Sequence, residues 1–343
     1  MYSFAYIPFW LAGLKTASGP FRWLTDSCLA MEKLLAGRKV RAMARRLHKK
    51  YEFSLVHGHE TYLGDEAASI GQMLGIPSVF TLHGLYSHHL QTFGEWAVQR
   101  AVANINAIDR LVAPSRVSAE SYQRHGVHRQ FSIVPNGVNL VSPEAIPSNV
   151  SHDVAAFIQG KSVLLTVGFF VREKRIDQAI RALGRLHRRG MTNVVLIVVG
   201  RGRLEKELRE TIKGERLDDA VRIVGEVRPE SMSTFYSIAD VLVHPSVAES
   251  YSMVCLEAMS FGKAVVCTSG IGLAEYLRSG VDALVIAPDD EDALSQAILG
   301  LLKNPSQRRR LGREARRTAA RLSWTRQVAK IERIYEELLS KPQ

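Results

Sequence analysis

The sequence predicts an α/β protein made of two doubly wound, parallel-sheet (Rossmann-like) domains. Short apolar, β-branched runs alternate with longer helical stretches along most of the chain. Those runs are continuously apolar, the pattern of strands covered by helices on both faces. The alternation also breaks once, over residues 139–160, which are polar and carry Pro143 and Pro147, and then restarts. The expected organisation is a first domain over 1–140 with an atypical stretch at 1–50, a linker over 141–160, a second domain over 161–322 and a C-terminal helix over 323–343.

The elements follow in order. Residues 53–59 (FSLVHGH) read as a strand ending in histidines, 62–74 as a helix, 77–84 (PSVFTLHG) as a strand and 92–107 as a helix. A strand is expected at 109–115, then a helix stopped by Gly126, then a strand at 131–138 running into a Pro-Asn-Gly turn. In the second half, strands are expected at 162–169, 193–200, 221–227, 240–246, 264–268 and 283–288. Helices separate them, including one near 273–278, and helices at 289–303, 306–320 and 324–339 close the chain. Ligands of such sheets bind at the carboxyl ends of the strands, where Gly168, Gly200, Gly202, Gly225, Ser246, Gly270 and Gly272 collect.

The 343 residues are 46% apolar and 23% charged, an ordinary globular composition. No run of 18 apolar residues occurs, and the aromatic start MYSFAYIPFWLAGL lacks a basic n-region and a cleavage site. Cys28, Cys255 and Cys267 have no ligand-like spacing and fit buried thiols in a reducing compartment. The net charge of +11 suits an anionic partner. In GRKVRAMARRLHKKYEF (37–53), helical spacing puts Arg38, Arg41, Arg45 and Lys49 on one side and Val40, Met43 and Leu47 on another. That is either a solvated face or one that meets an anionic membrane; RRRLGREARRTAARL (308–322) is a second dense basic stretch. No aromatic-interleaved basic pattern or zinc spacing points to nucleic acid. VGRGRL (199–204) lacks the third glycine of a dinucleotide fingerprint. His57 and His59 alternate on a strand without a third ligand at clear spacing, which favours strand-end packing or ligand contact over a metal.

The chemistry concentrates in the second half. Gly168 ends a strand, and Arg172, Lys174 and Arg175 follow before the next helix, an arrangement suited to an anionic group near the backbone. In HPSVAESYSMVCLEAMSFGKAVVCT (244–268), Glu249 precedes a helix and Glu257 lies within it. The helix N-terminus would aim free N–H groups into the same crevice. Spacing alone leaves two readings open: helix capping by Glu249 and Ser252, or a pocket with Glu257 on ribose hydroxyls and Glu249 on a sugar.

ESYSMVCLE, followed by AMSFGKAVVCT and SGIGLAEYLRSGVDALVIAPDD, resembles the C-terminal half of the family 4 retaining glycosyltransferases, which have the GT-B fold. LLTVGFFVREKRIDQAIRAL, LIVVGRGRLEKEL and VRIVGEVRPESMSTFYSIADVLVHPSVAES resemble the family in order, as do FTLHG, LVAPS and IVPNGVN in the first half. The resemblance spans roughly residues 54–322. It implies a retaining transferase that moves a sugar from a UDP- or GDP-linked donor to a glycan or lipid-linked acceptor, with no bound metal or cofactor. The donor would sit in the C-domain and the acceptor in the N-domain. Glu257 would hold the ribose, Glu249 the donor sugar, and Ser252, Met253 and Val254 would present amides to sugar and phosphate. Lys174 would neutralise the departing diphosphate, with Gly168, Arg172, Arg175 and Gly200 beside it; Gly225 to Val227 would lie near the base, and His83 would face the anomeric centre.

The chain departs from the family pattern at three points. Phe169 stands where the family has arginine, and Arg175 where it has glycine. Nothing before FSLVHGH matches, so the N-domain is expected to lack its first strand and glycine-rich turn, as a truncation or through replacement by residues 1–50. A non-catalytic nucleotide-sugar binder and a nucleotide-sugar epimerase are the other readings the residues leave open. The expected location is cytoplasmic, with peripheral contact at the inner face of an anionic membrane.

Overall fold

The computed structural model of the protein describes residues 22–60, 63–87, 95–140 and 150–340. The aromatic start and most of the expected linker lie outside these residues. The chain divides into two compact units: Met1–Ala113 with Ala119–Ser132 and Ile334–Gln343, and Pro114–Ser118 with Ile133–Arg333. Among the described residues no helix is long and apolar enough to cross a membrane.

In the first unit, β1 (Val56–His59), β2 (Ser78–Thr81), β3 (Arg110–Ala113) and β4 (Phe131–Ile133) form a sheet in that spatial order. β1 pairs with β2, and β2 with β3, in parallel. Helices α2 (Ala67–Leu74), α3 (Glu95–Asn106) and α4 (Arg116–Gln123) connect the strands. β2 is shorter than the 77–84 run suggests, which leaves His83 in the loop beyond the strand.

Before β1, the described chain is one helix, α1 (Arg22–Tyr51). Ion pairs hold it in place. Lys33 is buried with Nζ 3.3 Å from Asp65 Oδ2, which also accepts from Asn104 Nδ2 of α3 at 2.8 Å. Arg41 pairs with the buried Glu66, next to Asp65 in the turn that leads into α2. Burial lowers the Lys33 pKa and raises that of Asp65, and each charge opposes the other's shift. The helices come close at Gly37, where a Cβ would lie 2.4 Å from Glu66 Oε1. The basic side expected from helical spacing is therefore divided: Arg41 turns inward, while Arg38, Arg45 and Lys49 are exposed, as is Met43.

In the second unit, β5 (Ser162–Val167), β6 (Val194–Val199), β7 (Val221–Gly225), β8 (Val241–His244), β9 (Ala264–Thr268) and β10 (Leu284–Ile286) form one sheet in the order β10-β9-β8-β5-β6-β7. Every pairing in it is parallel. The chain starts at the centre, runs to one edge and then crosses to β8 on the other side of β5. This reversal between β5 and β8 is the switch point at which such sheets open a ligand crevice. Strand parity splits the core between the faces. Leu164, Leu196, Val241 and Val243 pack with α6 (Ile176–Arg188), α7 (Glu205–Gly214) and α10 (Glu291–Lys303). Leu165, Ile197 and Leu242 pack with α8 (Met232–Ile238), α9 (Met253–Ser260) and α11 (Pro305–Arg321).

Two expectations change. The helix near 273–278 is a 3₁₀ turn, Gly272–Tyr276, and the stretch read as linker contains helix α5 (His152–Ile158), which buries Val154. The last helix, α12 (Trp324–Leu339), begins in the second unit and ends in the first, where Arg110 pairs with Glu337 at 3.1 Å.

Lys33→Met is expected to destabilise the first unit by about 3–5 kcal/mol, because Asp65 would be left buried without its cation. Adding Asp65→Leu should recover much of that loss. Guanidinium unfolding followed by circular dichroism measures both effects.

Candidate active site

The switch point brings two loops together. After β5, the chain passes Gly168 into a 3₁₀ turn, Arg172–Lys174. After β8, it passes through Ser246 and Val247 to Glu249. The loops are stitched at one carbonyl: Val247 N and Ser246 Oγ donate to Glu173 O at 2.9 and 3.0 Å. Lys174 Nζ thereby lies 2.7 Å from Glu249 Oε1. The Glu249 backbone is fixed from the other side, since its N–H donates to Gly270 O and Gly272 N–H donates back to Glu249 O. Arg175 holds the left-handed conformation (φ 49°, ψ 37°) that glycine adopts at lower cost, so the turn keeps its path without the glycine.

Three strand ends meet beside this turn. Gly200 N–H donates to Gly225 O at 2.8 Å. A Cβ on Gly200, which has φ 142°, would fall 1.9 Å from Gly168 O, so only glycine allows β5 and β6 to end this close.

His244, the last residue of β8, is buried below Glu249. Its Nε2 lies 2.5 Å from Glu249 Oε1 and 3.1 Å from Ser252 Oγ. Burial alone would raise the Glu249 carboxyl; the charges and hydrogen bonds of His244 and Lys174 outweigh it and hold the group well below the usual carboxylate range. Burial likewise opposes charge on His244, but the negative charge beside it raises its pKa above the ordinary 6.5. Burial also keeps the Cys255 thiol protonated, so the effective anion is Glu249. An ionised carboxylate only accepts, which puts the proton on His244 Nε2.

Helix α9 starts at Met253 and Val254, whose N–H groups belong to the first turn and have no acceptor within the helix. Ser252, just before it, is buried at φ 104°, ψ 87°. A non-glycine residue there stores strain of about 1–3 kcal/mol, as is common where a loop is held for function. One turn on, Glu257 Oε2 accepts from Tyr236 Oη at 2.6 Å. Burial raises the Glu257 pKa, and the tyrosine hydrogen bond partly offsets this.

The other expected residues are placed differently. Arg175 Nε donates to Asp289 Oδ1 at 2.7 Å, turning its guanidinium to that partner. Arg172 and Arg175 line a cavity of about 250 Å³ with Asp177, Arg181, Leu204 and Glu207. Phe169 is 62% exposed, and Val227 packs partly buried against the core. His83 belongs to the first unit, where its N–H donates to Glu60 Oε1 and its Nε2 lies 3.0 Å from His59 Nδ1. His59 stacks on His57 with centroids 4.3 Å apart, and burial, followed by the neighbouring His59 and His83, lowers the His57 pKa to about 4. Among the described residues no group of three or more His, Cys, Asp or Glu is placed to hold a metal.

Sequence reasoning missed His244 and Tyr236. The signal for His244 was a polar residue ending an otherwise apolar strand. Parity puts it on the same side as Leu242, toward α9, but only the sheet order shows that Lys174 arrives there as well.

The family "Glycosyl transferases group 1" matches residues 149–318, and "Glycosyltransferase Family 4" matches residues 27–141. A D-inositol 3-phosphate glycosyltransferase of Pseudarthrobacter chlorophenolicus is 28% identical over 298 residues, covering 83% of this chain and 70% of that protein. An uncharacterized glycosyltransferase of Methanocaldococcus jannaschii is 25% identical over 287 residues, covering 83% and 75%. The crystal structure of Anabaena HepE in complex with UDP superposes with a TM-score of 0.74 at 21% identity, covering 88% of this chain and 82% of that one. Sucrose-phosphate synthase from Thermosynechococcus elongatus superposes with a TM-score of 0.69 at 25% identity, covering 88% and 78%. With two parallel-sheet domains and a charged site at the switch point of the second, the chain belongs to the GT-B glycosyltransferases of group 1 and family 4.

Proposed function

We propose that the protein transfers a sugar from a UDP- or GDP-linked donor to a glycan or lipid-linked acceptor, with retention of anomeric configuration. The observation that carries this reading is the Lys174–Glu249 contact at the switch point, beside the start of α9. A cation, a first turn of free amides and an ionised carboxylate share one crevice. The cation and amides meet the charge that grows on the departing diphosphate, while the carboxylate faces the sugar as it becomes cationic. The C1–O bond to the phosphate breaks, a C1–O bond to the acceptor forms, and the acceptor's proton leaves on the phosphate oxygen. Glu257, with one oxygen on Tyr236, is the ribose ligand in this reading. Gly200, Gly225 and Val227 border the base, and Ser252 with the Met253 and Val254 amides receives sugar and phosphate. His83 is assigned to the anomeric centre by the resemblance of FTLHG. UDP in the Anabaena structure supports a uridine donor.

No metal enters this reading, because Lys174 and the helix amides supply the positive charge. A lipid-linked acceptor at the cytoplasmic face of a membrane is supported by the net charge of +11 and by exposed Arg38, Arg45 and Lys49 on α1.

Lys174→Ala is expected to slow donor turnover about 10²–10³-fold, measured as nucleotide released from UDP-glucose and GDP-mannose. Glu257→Ala should weaken UDP or GDP binding about 10- to 100-fold by calorimetry. EDTA should leave the rate unchanged. Co-sedimentation with phosphatidylglycerol vesicles should fall as salt rises.

A further inference from the structure

We propose that His244 is a positioning residue that retains Glu249 when Lys174 is handed over to the donor's diphosphate. The proposal rests on the reading of Glu249 as the donor-sugar contact. Lys174 Nζ and His244 Nε2 both bind the same oxygen, Oε1, at 2.7 and 2.5 Å. The two holders differ in mobility. Lys174 reaches Glu249 through a flexible stem that remains partly exposed, whereas the His244 ring is buried at the end of a strand in register with Cys267. A diphosphate is the stronger attractor for a lysine, so donor binding removes one of the two bonds. Without His244 the carboxylate would then be free to follow the lysine or turn to water. With it, the carboxylate stays aimed while the cation changes partner.

Few groups around His244 can carry charge or donate a hydrogen bond. Glu249 faces it from the loop after β8, Lys174 from the turn after β5, Ser252 and Cys255 from α9, and Cys267 from β9. Burial keeps the Cys255 thiol protonated near neutral pH, so Glu249 is the counter-charge. His244 carries a raised pKa. Its ion-pair contribution is therefore complete below the ordinary 6.5 and is lost as pH rises through the raised value.

The test compares His244→Phe, His244→Gln and Glu249→Gln with the parent chain. Turnover is read as nucleotide released from UDP-glucose and GDP-mannose, and stability as the melting temperature from pH 6 to 9. His244→Phe should lower kcat about 10- to 100-fold while donor KM stays within about threefold. His244→Gln, which keeps a donor but does not titrate, should restore most of kcat and abolish the alkaline limb of the parent's profile. The parent's melting-temperature advantage over His244→Gln should shrink as pH rises, a reading that needs neither substrate nor the Phe variant. The proposal is overturned if His244→Phe turns over like the parent, or if the melting-temperature difference does not change with pH. If Glu249→Gln alone collapses turnover, only the role of His244 fails. If Glu249→Gln also turns over like the parent, the reading of Glu249 fails and the proposal falls with it.

Discussion

The site of the second unit depends on one ionised carboxylate held at the point where the strand order of a six-stranded parallel sheet reverses. Because β8 lies against β5, the loops that follow them must share space, and the carbonyl of Glu173 ties them together. Lys174 is the next residue, so that tie sets the reach of the cation to Glu249. A single oxygen facing a lysine and a buried histidine would be costly to leave without the histidine, since that ring is hidden from water and the carboxylate nearly so. The geometry explains why the loop accepts strained backbone at Ser252 and Arg175: the surrounding bonds fix the path more firmly than local preference opposes it.

The doubly wound architecture was legible because continuous runs such as Val194–Val199 have little use except as strands covered on both faces. That Lys174 and Glu249 could meet was legible as well, since both lie in loops beyond strand ends in the half of the chain where glycines cluster, whereas Glu257 lies within α9. His244 was not. Its side follows from parity, but its importance comes from β5 and β8 being neighbours, which pairs residues 70 positions apart in the chain. The orientation of Arg175 was hidden for a similar reason, because its partner, Asp289, lies beyond β10. With arginine in place of glycine at that position, the backbone still takes the left-handed conformation, and the side chain turns to Asp289.

An exposed phenylalanine, Phe169, stands where the family resemblance places an arginine. Charge beside the strand glycine then rests on Lys174, with Arg172 and Arg175 lining the cavity between α6 and α7. The site is therefore electrostatically lean.

The buried ion pairs beneath α1 bear on how the first unit assembles. Lys33 leaves the ribosome before Asp65, its partner, and well before Asn104, which donates to that same carboxylate. Until Asp65 is in place, burying the lysine is unfavourable and the helix has reason to stay in water. Docking of α1 thus waits for the turn before α2, so this helix settles after an element that follows it in the chain. The long-range pairing slows closure and links completion of the unit to arrival of its later half.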